Sequence, residues 1–446
     1  MKPRISIHWF RRDLRLEDNH GFFRALCDHG DVLPLFIFDT DILDKLEARN
    51  DRRVDLIHRT LGGMQEQLLQ RGSSLLVEHG KPLEVWQRLL ERFEVTAVTT
   101  NHDHEPYAIA RDKAVAGLLA EHGIPFLTYK DISIFERGEV VKDNGGPYTV
   151  YTPYMKKWRS LFTPDMAAPY PSEEHLHQLW KCTPLPIPCL EDIGFRPTDL
   201  QATPTTLSED LLKNYAETRD IPSVAGTSRM STHLRFGTVS VRALVRRSLR
   251  SSPKYLNELI WREFFMQILW HFPHPEKAFK PAYDRIDWRH DEADFARWKE
   301  GRTGYPLVDA GMRELLATGL MHNRVRMVVA SFLTKHLLLD WRLGEAWFAQ
   351  QLLDFELSSN NGGWQWASGS GCDAAPYFRV FNPRLQLEKF DPSLKYVKKW
   401  VPEYGSANYV QPMVVHEIAR ARALHTYKTG LEGSAAAPKR QTQLFI

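Results

Sequence analysis

Over the first third of the chain, short apolar runs recur at intervals and longer amphipathic stretches fill the gaps between them. Ile5–Phe10 (ISIHWF), Val32–Phe38 (VLPLFIF), Ser73–Gly80 (SSLLVEHG) and Val95–Asn101 (VTAVTTN) read as strands. Val54–Gly72 and Pro82–Phe93 repeat their apolar residues at the spacing of one helix face. Strands alternating with helices predict a doubly wound parallel α/β sheet over residues 1–130.

From 131 to 206 the periodicity fails and prolines accumulate, as in CTPLPIPCLEDIGFRPTDLQATPTT, which predicts a connector running over the surface. Beyond it nearly everything has a helical period: Val239–Leu249, Tyr255–Phe272, Gly311–Leu320 and His322–Leu339 are the clearest cases. An all-α C-terminal domain is expected over 207–430. The last stretch, 431–446, is small and polar up to its final residues and reads as a flexible tail.

Composition narrows the classes of function. With 43% hydrophobic residues in a chain of 446, more than one core can be buried, and global disorder is excluded. A net charge of +3 means that any polyanion site must be a local patch. The four cysteines, Cys27, Cys182, Cys189 and Cys372, form no CxxC pair, so neither a disulfide framework nor a metal site is expected, and a reduced cytoplasmic compartment is. The first residues, MKPRISIHWFRRDLR, break their apolar run with charges, and no window approaches the ~18 apolar residues of a membrane span. A soluble chain without signal peptide is expected. The 13 tryptophans exceed what packing usually asks for.

Four stretches carry candidate chemistry. In GTSRMSTHLRFG, Thr227, Ser228 and Ser231 precede a helix and can donate to a pyrophosphate, or serve as an ordinary N-cap. No GxGxxG follows the first strand, which disfavours a nicotinamide site of the Rossmann type. In ELIWREFF, Glu258, Trp261 and Arg262 share one helix face, suited to hydrogen-bonding and stacking on a base and holding a phosphate; an interfacial helix with an ion pair is the plainer reading. In HNRVRM, Asn323 and Met327 lie one turn apart, with Arg324 and Arg326 between them. Asp354 is a candidate partner for Arg326. In NNGGWQW, two tryptophans follow two glycines that lack Cβ, tolerate unusual φ and would let the chain pass close to a flat ring.

Together HWFRRDLRLEDN, TSRMSTHLRFG, ELIWREFF, NNGGWQW and AAPYFRVFNPRLQLEKFDP resemble, in order and spacing, the photolyase/cryptochrome flavoproteins from about residue 4 to about residue 428. Within that family the chain looks most like a bacterial class I cyclobutane pyrimidine dimer photolyase. The resemblance implies that the helical domain binds FAD, whose fully reduced anion is the light-driven electron donor. It implies FAD contacts from Tyr215, from a cradle of Thr227, Ser228, Arg229, Met230 and Ser231, and from Arg326, Asp354, Phe355 and Glu356, with Asn360 at flavin N5. Glu356 departs from the acid most common there, an aspartate. The resemblance further implies an electron relay of Trp364, Trp341 and Trp288, running from the flavin to the surface. Glu258, Trp261, Arg262, Asn323, Arg324, Met327 and Trp366 would form the lesion pocket, and Glu258 would stabilise the dimer radical anion. The histidine pair of (6-4) photolyases is absent, because Asn323 and Met327 align with it. Arg219, Arg379, Gln386 and Lys389 would hold DNA phosphates around a dimer flipped out of the duplex.

The family often carries an antenna chromophore, a folate or a deazaflavin, and Glu105 aligns with a folate contact. The expected activity is repair of UV-damaged DNA by a monomer; the alternative is a cryptochrome photoreceptor without repair. Gln441–Phe445 (QTQLF) resembles the short peptide with which bacterial repair proteins dock on the sliding clamp.

Overall fold

The computed structural model describes residues 2–201 and 203–433. Five parallel strands, β1 (Arg4–Phe10), β2 (Val32–Asp39), β3 (Leu76–Gly80), β4 (Glu94–Asn101) and β5 (Phe126–Tyr129), form one sheet in the order β3-β2-β1-β4-β5. In chain order the first helices are α1 (His20–Asp28), α2 (Thr40–Leu43), α3 (Arg52–Leu69), α4 (Pro82–Arg92), α5 (Pro106–Glu121) and α6 (Tyr151–Leu161). The period of two in the strands sorts the side chains of β1 and β2: Ile5, Ile7, Trp9, Leu33, Leu35 and Ile37 enter one core, while Phe10, Val32, Phe36 and Phe38 enter the other. Burial on both faces explains why these strands read as nearly unbroken apolar runs. The doubly wound parallel sheet is therefore as expected.

The helices continue with α7 (Glu209–Thr218), α8 (Met230–Phe236), α9 (Val241–Ser251), α10 (Pro253–His271), α11 (Glu292–Lys299) and α12 (Pro306–Thr318). They end with α13 (Asn323–Ser331), α14 (Trp341–Gln351), α15 (Leu357–Ser368), α16 (Pro383–Phe390), α17 (Lys395–Trp400) and α18 (His416–Glu432). Contacts divide the chain into two units, the first comprising 1–140, 157–207 and 229–263, the second 141–156, 208–228 and 264–446. In the second unit α12, α13, α14 and α15 enclose a core of Val308, Met312, Leu315, Val325, Val329, Trp341, Phe348 and Trp364.

The stretch expected as a surface connector differs in the structure. Leu176, Leu179, Leu190, Ile193 and Phe195 are buried in a core of the first unit beside Phe36 and Leu61. The stretch also contains the helix α6; beyond it, prolines limit regular structure to short 3₁₀ turns without keeping the apolar side chains out of the core. The tail Gln441–Phe445 lies outside the described residues, and among those residues no helix is long and apolar enough to cross a membrane.

One buried charge cluster ties distant segments of the first unit together. Asp131, 1% exposed, accepts from Arg15 Nη2 at 2.7 and 2.8 Å and from Arg242 Nη2 at 2.8 Å. Arg242 Nε donates in turn to Asp18 at 2.9 Å. Burial alone would raise the Asp131 carboxyl, but Arg15 and Arg242 overcome it and hold the group well below the usual range. Asp131→Asn is expected to destabilise the protein by about 3–5 kcal/mol in denaturant titration, because it leaves buried guanidinium charge uncompensated. Because the folded carboxyl titrates below its ordinary 3.8, its stabilisation is complete above that pH and disappears as the pH falls further. The Asn variant should lose that share of the acid sensitivity.

Candidate functional site

Helix α10 presents Glu258, Trp261 and Arg262 half-buried along one face, while Leu256, Leu259 and Ile260 are buried. Arg262 Nη1 donates to the Ile132 carbonyl at 2.7 Å and Nη2 to the Leu234 carbonyl at 3.2 Å, so part of its donor capacity serves the fold. The next residue, Glu263, is 2% exposed and accepts from the N–H groups of Ile134 and Phe135 and from Trp158 Nε1. Burial pushes its carboxyl up to about 7 against the pull of these donors.

Helix α8 begins at Arg229, held left-handed at φ 55, and receives no side-chain cap. Such a backbone costs about 1 kcal/mol or more for a residue with Cβ, and it turns the chain sharply into the helix. Met230 is buried there and Ser231 exposed; Thr227 and Ser228, in the second unit, are half-buried. Glu105 Oε1 accepts from Arg12 at 3.2 Å and from Arg235 at 2.9 Å.

In the second unit Arg326 Nη2 forks onto both oxygens of Asp354, at 3.0 and 2.9 Å, and its Nε donates to the Met321 carbonyl. The pair joins α13 to the loop before α15. Glu356, at the N-cap of α15, is buried and accepts from Ser359 Oγ at 3.2 Å; Phe355 is half-buried beside it. NNGGWQW lies wholly within α15, which corrects the expectation of unusual φ: neither glycine is in the left-handed region. Their use is steric. A Cβ on Gly362 would come within 2.2 Å of the Phe265 ring, whereas one on Gly363 would meet nothing within 4 Å.

The polar residues of α15 fix which way it faces. Asn361 Nδ2 donates to Glu345 Oε1 at 2.8 Å and to the Pro275 carbonyl at 2.8 Å, and Gln365 Nε2 donates to Asn361 Oδ1 at 3.0 Å. Burial raises the Glu345 carboxyl to about 7. Asn360 Nδ2 donates to the Glu345 carbonyl at 3.2 Å, which leaves its Oδ1 turned away from that bond as an acceptor. Sequence reasoning missed Glu345, Asn361 and Gln365; the spacing of Asn361 and Gln365, one turn apart on α15, was the signal available.

Trp364 packs where α14 carries Gly344, whose hypothetical Cβ would lie 2.1 Å from the indole. Its ring also meets Phe348 and Trp298, at centroid distances of 5.0 and 6.1 Å. Trp341 is 1% exposed, with the Arg342 guanidinium 4.7 Å over its ring, and Trp288 is half-buried, edge-on to Tyr427 at 5.6 Å. Trp366 is half-buried with Phe381 at 6.3 Å.

A cluster of cations gathers around Asp220 and Phe390. Arg324 Nη2 donates to Asp220 at 2.9 Å and lies over the Phe390 ring at 4.5 Å, and its Nη1 is 3.5 Å from Met327 Sδ. Arg219 lies over Tyr215, and Lys389 over Phe390. Asn323 and Arg379 are exposed and Gln386 half-buried. His322 caps α13 by accepting from the Arg324 N–H at 3.1 Å, and burial pushes it down to about 4, so it is a neutral capping group at physiological pH.

FAD is the cofactor that the motifs imply. Two residues of α15 fit a flat heterocycle: Gly363 is exposed and bare, and Asn360, half-buried where α15 meets α14, offers a neutral acceptor. Arg326 and Asp354 form a mutually compensated pair. Among the described residues no group of three or more His, Cys, Asp or Glu is placed to hold a metal ion.

Comparison with known proteins agrees with this fit. Residues 6–172 match the DNA photolyase family model, and residues 255–408 match that of the FAD binding domain of DNA photolyase. A deoxyribodipyrimidine photo-lyase of Halobacterium salinarum is 36% identical, covering 90% of this chain and 89% of its own. One from Agrobacterium fabrum is 35% identical over 96% and 98%. The crystal structure of a bacterial class III photolyase from Agrobacterium tumefaciens superposes with a TM-score of 0.85 at 33% identity, covering 97% and 99%. A photoreceptor without repair activity is the less supported alternative. The chain belongs to the photolyase/cryptochrome family.

Proposed function

We propose that this chain is a light-dependent DNA-repair enzyme, a carbon–carbon lyase that splits cyclobutane pyrimidine dimers with FAD. The observation that carries the reading is α15, with the neutral amide of Asn360 and the bare Gly363, in a chain similar along its length to deoxyribodipyrimidine photo-lyases. When bound, FAD supplies a light-excited electron to the dimer. The overall reaction is redox-neutral, since the electron returns once the two ring-closing C–C bonds have broken.

The chain's own residues do the rest. Asn360 offers an uncharged acceptor, and the Arg326–Asp354 pair flanks the ring system without adding net charge. Trp261 supplies an apolar wall for the fused pyrimidines, and Glu258 beside it on α10 hydrogen-bonds the dimer, an interaction that gains strength where water is excluded. Arg219, Arg324, Arg379 and Lys389 hold phosphates and make the affinity salt-dependent. Trp364, Trp341 and Trp288 pass from core to half-buried, the order a relay needs if it reduces the flavin from the surface. The helical residues 207–430 form the catalytic part and 1–130 the antenna-type part. A monomer in a reducing cytoplasm suits the free cysteines. The tail Gln441–Phe445 docks on a sliding clamp.

Four outcomes are expected. Purified protein, reduced and illuminated with blue light, restores the ultraviolet absorbance of a thymine-dimer oligonucleotide, and a dark control does not. Glu258→Ala lowers repair per absorbed photon by on the order of tenfold to hundredfold; wild-type repair in that variant would remove Glu258 from the pocket. Trp288→Phe slows photoreduction of the oxidised flavin, followed by its bleaching, by roughly tenfold or more. In a pull-down with the bacterial clamp, deleting the last six residues abolishes capture; unchanged capture would end the docking proposal.

A further inference from the structure

Adjacent residues on α10 grip one buried segment with opposite polarity. Arg262 donates to the Ile132 carbonyl, and Glu263 accepts from the N–H groups of Ile134 at 2.6 Å and Phe135 at 3.3 Å. Glu263 Oε2 also accepts from Trp158 Nε1 at 2.7 Å, and the Trp158 ring lies edge-on to Phe135 at 5.4 Å. All these groups are in the first unit, and Ile132, Ile134, Phe135, Trp158 and Glu263 are all buried. Glu263 lies five residues beyond Glu258, roughly 140° around the helix, so it holds the back of α10 while Glu258 and Trp261 share the front.

We propose that Glu263 is a positioning residue for dimer recognition: by fixing the back of α10 to the Ile132–Phe135 segment and to Trp158, it sets the rotation at which Glu258 and Trp261 meet the lesion. The inference rests on the reading of the α10 face given above. Its force comes from acceptor count. Three buried donors converge on two oxygens, and no other side chain of this size offers two acceptors without a donor. A glutamine keeps the shape but puts an NH₂ against the N–H of Phe135 or Trp158, leaving buried donors unmatched. A helix free to roll by a fraction of a turn still binds phosphates through long cationic side chains, but it no longer aims an acid and an indole at one flipped dimer.

The discriminating readout is the ratio of affinities for dimer-containing and undamaged DNA of the same length. Glu263→Gln holoenzyme is expected to lose roughly tenfold in that ratio, with binding to undamaged DNA and flavin content unchanged. General misfolding would lower all three together. Trp158→Phe keeps the ring and removes one donor, and should lower the ratio by a smaller factor; it serves if Glu263→Gln does not fold. Combining the two changes should recover part of the loss, because the clash with the indole N–H is gone. Glu258→Ala, measured in parallel, separates the two ideas. If it lowers the ratio and Glu263→Gln does not, the anchor is wrong and the pocket stands. If Glu258→Ala leaves the ratio unchanged, the α10 face does not read the lesion and the inference falls with it.

Discussion

Helices α14 and α15 touch at Gly344, and the arrangement of the second unit depends on that contact. The Trp364 indole occupies the space a Cβ would take, 2.1 Å from its Cη2 carbon, with Leu333 only slightly farther at 2.6 Å. Any larger residue would force the helices apart or the indole out of its well, and cores resist such overpacking. With Trp364 fixed inward, the helical repeat decides the rest of α15. Gln365 and Ser368 point into the protein, Asn360, one turn before Trp364, meets α14 at the Glu345 carbonyl, and Gly363 is left exposed. The glycine that seems incidental on α14 thus determines the face that α15 presents.

Polar groups complete what packing begins. Apolar contacts bring helices together but tolerate small rotations, whereas a buried carboxylate bound to its donors tolerates few. Glu345 does this for α15 through Asn361, and Glu263 does it for α10 through two backbone N–H groups and an indole. Asp131 does it for the first unit, between two arginines. Each would be costly if left unmatched, so each specifies one arrangement more than it adds net stability.

What could be read in the sequence was what is local. The parallel strands were visible because both faces are buried, and Glu258, Trp261 and Arg262 because i, i+3 and i+4 fix a helix face from sequence alone. The residues around Asp131 were invisible: Arg15 is 116 positions away and Arg242 is 111, and no periodicity links them. The segment from 131 to 206 misled because proline erases the pattern without removing the apolar side chains. The glycines of NNGGWQW misled differently. Glycine usually marks a turn, and a pair of them inside a helix costs about 2 kcal/mol against alanine. Here the close approach of Phe265 to Gly362 requires one of them, a long-range fact that no local rule contains.

The tryptophans show how placement gives direction to an otherwise symmetric set of rings. Trp364 has two close aromatic neighbours, Trp298 and Phe348, that lead only into core: Trp298 is fully buried, its Nε1 donating to the Val329 carbonyl. A positive hole left on Trp364 gains nothing by moving there, since a buried charge without water or a counter-ion is expensive. In the relay reading Trp341 is a step and not a resting place, because the Arg342 guanidinium over its ring opposes a second positive charge. Trp288, half-buried, is the member of the three that solvent reaches, so hydration stabilises the hole at the outer end. In that reading the direction of electron flow follows from where water and one arginine sit, with no need for the three indoles to differ chemically.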